Sequence, residues 1–143
     1  MRKFIVAGAL AALGIGLLAV PASASFDHHF SVLSKETSSS RAGQHAFKFR
    51  DKLLDPRNRH DRVGRDRGKC TETSHRSIRC HAVVHLNGEI GGFGDIKLSG
   101  DLGRHDNRVN VVGGTDDFNG VAGKMLIHGV NRRIDKLHFD LVR

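Results

Sequence analysis

The sequence predicts an all-β domain of seven or eight short antiparallel strands, arranged as a small barrel or a sandwich. Three observations carry this. Apolar and polar residues alternate with period two in run after run, as strands with one wet face require. Seventeen glycines against two prolines suit tight turns between those runs. No apolar pattern of period 3.6 persists beyond a single turn, so helices are not expected.

The N-terminus precedes the strands and reads differently. In "MRKFIVAGALAALGIGLLAVPASAS", Arg2 and Lys3 lead an uncharged apolar run from Phe4 to Val20, and Pro21 then introduces Ala22-Ser23-Ala24. A short positive start, an apolar stretch and a small-x-small site form the pattern of a secretory signal peptide, with cleavage expected after Ala24. A transmembrane anchor is the competing reading, but the run is short for a span and the cleavage pattern follows it directly. No later stretch is apolar enough to cross a bilayer as a helix. The expected organisation is a signal peptide over residues 1–24 and one β domain over 25–143, in a secreted, extracellular protein. The formal charge is +8 for the full chain and +6 without residues 1–24. Outside the cell such a basic protein faces cell-wall polymers, polysaccharides or lipid head groups rather than DNA.

The strands follow in order. "HFSVLS", His29 to Ser34, is a weak first one, and "SKETSSSRAG" after it reads as a polar loop. "FKFRDKL" places Phe47, Phe49, Asp51 and Leu53 on one face and Lys48, Arg50 and Lys52 on the other. "CHAVVHL" puts Cys80, Ala82, Val84 and Leu86 together, opposite His81 and His85. "IKLSGDL" groups Ile96, Leu98, Gly100 and Leu102. "RVNVV" (108–112) and "GKMLIHGV" (123–130) come next. The last run, "KLHFDLV", alternates Leu137, Phe139 and Leu141 with His138 and Asp140. Turn signals separate them: "LNGE", "GGFGD", "GRHDN", "GGTDDFNG" and "VNRR". Closure into a barrel would remove sheet edges that invite aggregation. The absence of tryptophan and tyrosine argues against an immunoglobulin-like sandwich.

Cys70 and Cys80 are the only cysteines, and an exported pair is expected to be oxidised. If "CTETSHRSIRC" is a hairpin centred on His75, the two cysteines lie directly opposite on neighbouring strands, within disulfide reach. Glu72 and Ile78 would then oppose each other nearer the turn. The alternative is two buried thiols.

The most charged stretch is "DPRNRHDRVGRDRGKC", Asp55 to Cys70, with five arginines, a lysine and three aspartates. Its plain reading is a solvated loop whose arginines pair with Asp55, Asp61 and Asp66. Its sharper reading is an anionic-surface patch formed by Arg57, Arg59, Arg62, Arg65 and Arg67. No aromatic residues are interleaved to stack on bases, so nucleic acid is not the expected partner.

From His45 to Arg143 the ordered set "HAFKFRDKLLD", "VGRDRGKCT", "CHAVVHLNGEI", "KLSGDL", "VVGGTDDFNGVAG" and "KLHFDLVR" resembles the allene oxide cyclase and dirigent barrel superfamily, most of all its secreted bacterial branch. The resemblance implies a single antiparallel eight-stranded barrel, often trimeric, holding a reactive apolar ligand in its cavity. It aligns Asp51 with a cavity asparagine of the cyclases and an aspartate of the dirigents, and Cys70 with a cyclase cavity cysteine. A carboxylate on an apolar face should have a raised pKa and can serve as an acid or base. Several positions depart from the family. Lys48 stands where the cyclases place a cavity proline, Leu102 about where they place a tyrosine, and Ala122 where dirigents carry an arginine. Glu36 corresponds only loosely to a cyclase glutamate. The implied fold therefore transfers better than the implied chemistry.

Other chemistry is sparsely signalled. The chain has no G-x-S-x-G, no G-x-G-x-x-G and no P-loop. Among its ten histidines, His81 and His85 share a strand face but lie about 13 Å apart at four strand steps. His28 and His29 are adjacent and face opposite ways in a strand. No metal site and no cofactor are therefore expected. The expected role is binding of a small apolar or aromatic ligand in a cavity lined by Phe47, Phe49, Asp51, Val84, Leu98, Val111, Met125 and Phe139. One alternative is an isomerase or cyclase with Asp51 as its acid-base group. The other is a surface protein whose basic face binds a cell-wall or polysaccharide polyanion.

Overall fold

The alternating runs form eight antiparallel strands that close into one barrel in chain order: β1 (Asp27–Gly43), β2 (Ala46–Leu54), β3 (Arg62–Ser74), β4 (Ser77–Asn87), β5 (Phe93–Gly103), β6 (Arg108–Gly114), β7 (Ala122–Asn131) and β8 (Ile134–Val142). The computed structural model describes residues 27–74, 77–103 and 107–143. The signal-peptide segment and His75, the expected centre of the β3–β4 hairpin, lie outside them. β8 returns to pair with β1 from Asp27↔Val142 to Lys35↔Ile134, which closes the ring. No helix among the described residues is long and apolar enough to cross a membrane.

Two stretches read as loops are strands. "SKETSSSRAG" continues β1 along β2 as far as Gly43↔Ala46. Its residues Lys35 to Arg41 are exposed, so no apolar alternation marks them. Arg62 to Cys70 belongs to β3, and only residues 55–61 connect β2 to it. There the alternation is present but built from glycine and charge. Gly64, Asp66, Gly68 and Cys70 face inward, in register with Leu53, Asp51, Phe49 and Phe47.

Inside, large residues meet small ones across the ladder. Phe49 lies opposite Gly68, and a Cβ at Gly68 would come within 2.5 Å of the Phe49 ring. That close approach requires glycine at position 68. One end of the barrel is sealed. The rings of Phe30 and Phe139 stack with centroids 4.8 Å apart, and Phe118 joins Phe30 at 6.3 Å. Phe118 arrives on a 3-10 turn, Asp116–Phe118, and is fully buried. Val32, Leu53, Val84, Leu86, Ile96 and Leu141 complete a continuous apolar core around it. The opposite end, where the β1–β2 and β7–β8 hairpins turn, carries polar residues and, among the described residues, a pocket.

Cys70 and Cys80 are paired in register and joined by a disulfide with Cα atoms 4.1 Å apart. Both are buried, and Glu72↔Ile78 follows two residues nearer the turn as the spacing predicts. The bond staples the β3–β4 hairpin beside the open end and closes a short loop. The Cys70→Ser/Cys80→Ser double variant should therefore lose about 2–3 kcal/mol of unfolding free energy, measured by urea denaturation. Equal midpoints for the two proteins would show that the staple carries no stability.

Candidate functional site

The open end contains a pocket of about 200 Å³. β2 supplies Phe47, Phe49 and Asp51 to its wall, and β1 supplies Ser34 and Glu36. Arg132, Arg133 and Asp135, at the β7–β8 turn, form its rim. Aromatic surface and ionisable groups therefore meet in one small space.

Asp51 lines this pocket, and a second carboxyl, Asp66, stands behind it; the two together line a separate cleft bordered by Arg50, Lys52, Arg62, Arg65 and Arg67. Asp51 on β2 and Asp66 on β3 are directly opposite in register, both on the inner face. Ser34 donates its hydroxyl hydrogen to Asp51 Oδ2 at 2.8 Å and stands 3.4 Å from Asp66 Oδ2. A hydroxyl has one proton, so it serves one carboxyl at a time. The Oδ1 atoms of both aspartates are buried with no hydrogen-bond partner among the described residues.

Burial and mutual repulsion set the protonation of this pair. Burial, then the charge of Asp51, pushes Asp66 up to about 7, against the opposing pull of the Ser34 hydrogen bond. Burial also raises Asp51; the Ser34 hydrogen bond opposes it, and the charges of Glu36 and Asp135 add to it. Asp135 is itself raised by burial and by Glu36. Two neighbouring carboxyls in a weakly solvated site favour one shared proton. Both members are pushed upward, the larger push falling on Asp66, the more buried of the two, while Asp51 lines the pocket. Environments that split a pair in this way create an acid and a base side by side.

The remaining expected site residues separate into groups. Phe47, Phe49 and Asp51 converge on the mouth, whereas Val84, Val111, Met125 and Phe139 are buried in the core. Leu98 is buried in the core beneath a groove on the outer wall. Arg57 and Arg59 sit on the β2–β3 loop, where Arg57 turns back to Asp55 at 3.4 Å. Arg62 opens β3, and Arg65 and Arg67 stand on its exposed face. Of the family departures, Lys48 is exposed on the outer wall, Leu102 packs against the core and Ala122 is exposed at the start of β7. Glu36 does reach the mouth pocket.

Sequence reasoning missed Asp66 and Ser34. It also missed most of the outer basic face. Across β2, β3, β4 and β5 the outward residues form three rows: Lys48, Lys69, His81, Ser99; Arg50, Arg67, Val83, Lys97; and Lys52, Arg65, His85, Asp95. A groove of about 480 Å³ runs over this wall, bordered by Lys48, Arg50, Arg67, Lys69 and Lys97, with Phe49, Ala82, Val83, Leu98 and Val112 as its apolar lining. The signal was available in "FKFRDK" and "RDRGK", where the cations occupy every second position.

No family model and no curated protein sequence matches the chain. Solved structures do match. A pterocarpan synthase dirigent protein superimposes with a TM-score of 0.71 at 11% identity, over 99% of each chain. A pyocyanin demethylase gives 0.62 at 20% identity, over 79% of this chain and 98% of that one. An exo-specific intermolecular Diels–Alderase gives 0.62 at 14% identity, over 83% and 97%. The fold is that of the dirigent-type barrels.

The carboxyl pair makes stability depend on pH in a defined direction. A carboxyl raised in the folded state stabilises fully below its unfolded value of 3.8 and loses that contribution as pH rises through its folded value. The native chain should lose thermal stability between about pH 4 and about pH 8, and Asp66→Asn should reduce that loss. Thermal melts of both proteins across this window check it. Parallel curves would show that Asp66 is not the titrating group.

Proposed function

We propose that this barrel binds a small apolar or aromatic molecule at its open mouth and that the Asp51–Asp66 pair transfers a proton on it. The reaction class is an isomerisation or cyclisation, which requires proton movement and stereochemical control but no change of oxidation state. The observation that carries this reading is the pairing of half-buried Asp51, beside Phe47 and Phe49, with buried Asp66, each keeping one oxygen without a partner among the described residues. Asp51 acts as base, Asp66 as the proton reservoir behind it, and Ser34 keeps the two carboxyls aligned. The fold neighbours support the reading, since a dirigent protein and a Diels–Alderase are both named for control of small-molecule reactions. The pocket is smaller than the roughly 300–1,000 Å³ of sites that enclose a drug-sized ligand. It takes one ring or one chain end and leaves the rest of the molecule at the rim, near Arg132 and Arg133. The disulfide fits an exported protein, in keeping with the signal-like N-terminus.

Native mass spectrometry of the chain purified from its own secreted medium tests this. The Asp51→Asn protein should retain a small molecule that Phe49→Ala releases, and the native chain should convert that molecule, extracted and run by liquid chromatography, to an isomer of equal mass and different retention time. Retention without conversion would reduce the pair to a structural role and leave a binding protein. An empty Asp51→Asn protein would overturn the reading.

A second reading rests on a different observation. Lys48 and Lys69, Arg50 and Arg67, and Lys52 and Arg65 are like charges directly opposite across the β2–β3 ladder. Such pairs destabilise a sheet, and none of these six side chains forms a salt bridge among the described residues. An extended polyanion such as an acidic polysaccharide would relieve that repulsion. On an immobilised sulfated polysaccharide, Arg50→Gln/Arg67→Gln/Lys69→Gln should elute at clearly lower salt than the native chain, while melting no lower. Unchanged elution would remove this face from consideration.

A further inference from the structure

The seam where β8 closes on β1 carries, on its outer face, a cluster that neither the mouth nor the basic wall uses. His29 lies directly opposite Asp140, and Ser31 opposite His138. The outward side chains of His29, His138 and Asp140 are therefore neighbours, although 109 residues of chain separate His29 from His138.

Their atoms converge on one point. His29 Nδ1 is 2.7 Å from Asp140 Oδ1, and His138 Nε2 is 3.0 Å from the same oxygen. The three atoms all lie within 4.8 Å of one another. Ligands held about 2.0–2.2 Å from a divalent metal are spaced about 3 Å apart on neighbouring vertices. Two imidazoles and one carboxylate are thus placed as one face of a coordination sphere. The other ring nitrogens are also held. His29 Nε2 meets Asp27 Oδ1 at 2.8 Å, and His138 Nδ1 meets Ser31 Oγ at 2.8 Å. Outer partners of this kind orient metal-binding imidazoles and raise their basicity. Every member sits on a paired strand, so the geometry does not depend on a loop.

We propose that His29, His138 and Asp140 form a binding site for a divalent transition metal, with Asp27 and Ser31 as the groups that orient the two imidazoles. Mixed imidazole and carboxylate donors suit Zn²⁺, and also Co²⁺, Ni²⁺ or Cu²⁺, rather than Ca²⁺ or Mg²⁺. The three side chains are partly exposed, so water or an external ligand completes the sphere. The opposite neighbour of Asp140 on β7 is Lys124, an exposed cation. It forms no salt bridge with Asp140 among the described residues.

Zn²⁺ titration of the untagged chain by calorimetry is the test. One equivalent should bind, and His29→Ala, His138→Ala or Asp140→Asn should each abolish that event. Asp27→Asn should weaken it by about ten- to a hundredfold, although Asp27 would not touch the ion. His85→Ala, in the His85–Asp95 pair on the far wall, should leave it unchanged, as should Lys124→Ala or a modest gain in affinity. Co²⁺ absorption on the native chain gives a reading independent of variant folding, because nitrogen ligation produces visible bands of low-symmetry coordination. No Zn²⁺ binding, binding indifferent to all three substitutions, or a Co²⁺ spectrum of the aqueous ion would each overturn the site and leave an ion-pair network.

Discussion

Closure of β8 onto β1 is the constraint on which the rest of the molecule depends. A strand has two faces, and pairing register decides which residue takes which. Once the ring is closed, every register is linked to every other, and each side chain is committed to the inside or the outside. The interior of an eight-stranded barrel is just wide enough for its own side chains or for one small ligand. Phe49 can point inward because Gly68 opposite it has no side chain. A slip of one residue in β3 would turn Asp66 outward and bring Arg65 or Arg67 into the core. The carboxyl pair and the basic wall are therefore two results of one register.

The pair at the mouth is a local cost that the fold sustains. Two carboxyls on an inner face are tolerated only if one stays neutral or both find donors. Here Ser34 supplies a single hydroxyl, and two oxygens have no partner among the described residues. The apolar seal at the other end, built from Phe30, Phe118 and Phe139, is well packed and supplies stability where no chemistry is needed. Both buried oxygens that lack a partner among the described residues belong to this pair.

Much of the fold was legible in the sequence, because period two survives wherever a strand has one buried face. Phe47 to Leu53, Cys80 to Leu86 and Leu137 to Leu141 show it plainly, and the cysteine spacing located the β3–β4 register. The extension of β1 was hidden because its residues are exposed on both faces and show no alternation. Asp66 was hidden by its company: flanked by Arg65 and Arg67, it reads as a partner for them. Its spacing from Gly64, Gly68 and Cys70 places it on the inner face, but glycines carry little apolar signal. His29 and His138 lie on the first and last strands. Spacing along a strand cannot bring them together; only closure does.

The phenylalanine seal has a consequence for traffic. A barrel open at both ends is a conduit, through which one molecule can follow another in a single direction. This one is a cup. On the proposed reading, a molecule that enters the mouth pocket past Arg132 and Arg133 finds the far end closed by the phenylalanines and goes out as it came, so arrival and departure compete for one doorway. Occupancy is then exclusive, and a slowly released product would act as a stopper against the next molecule.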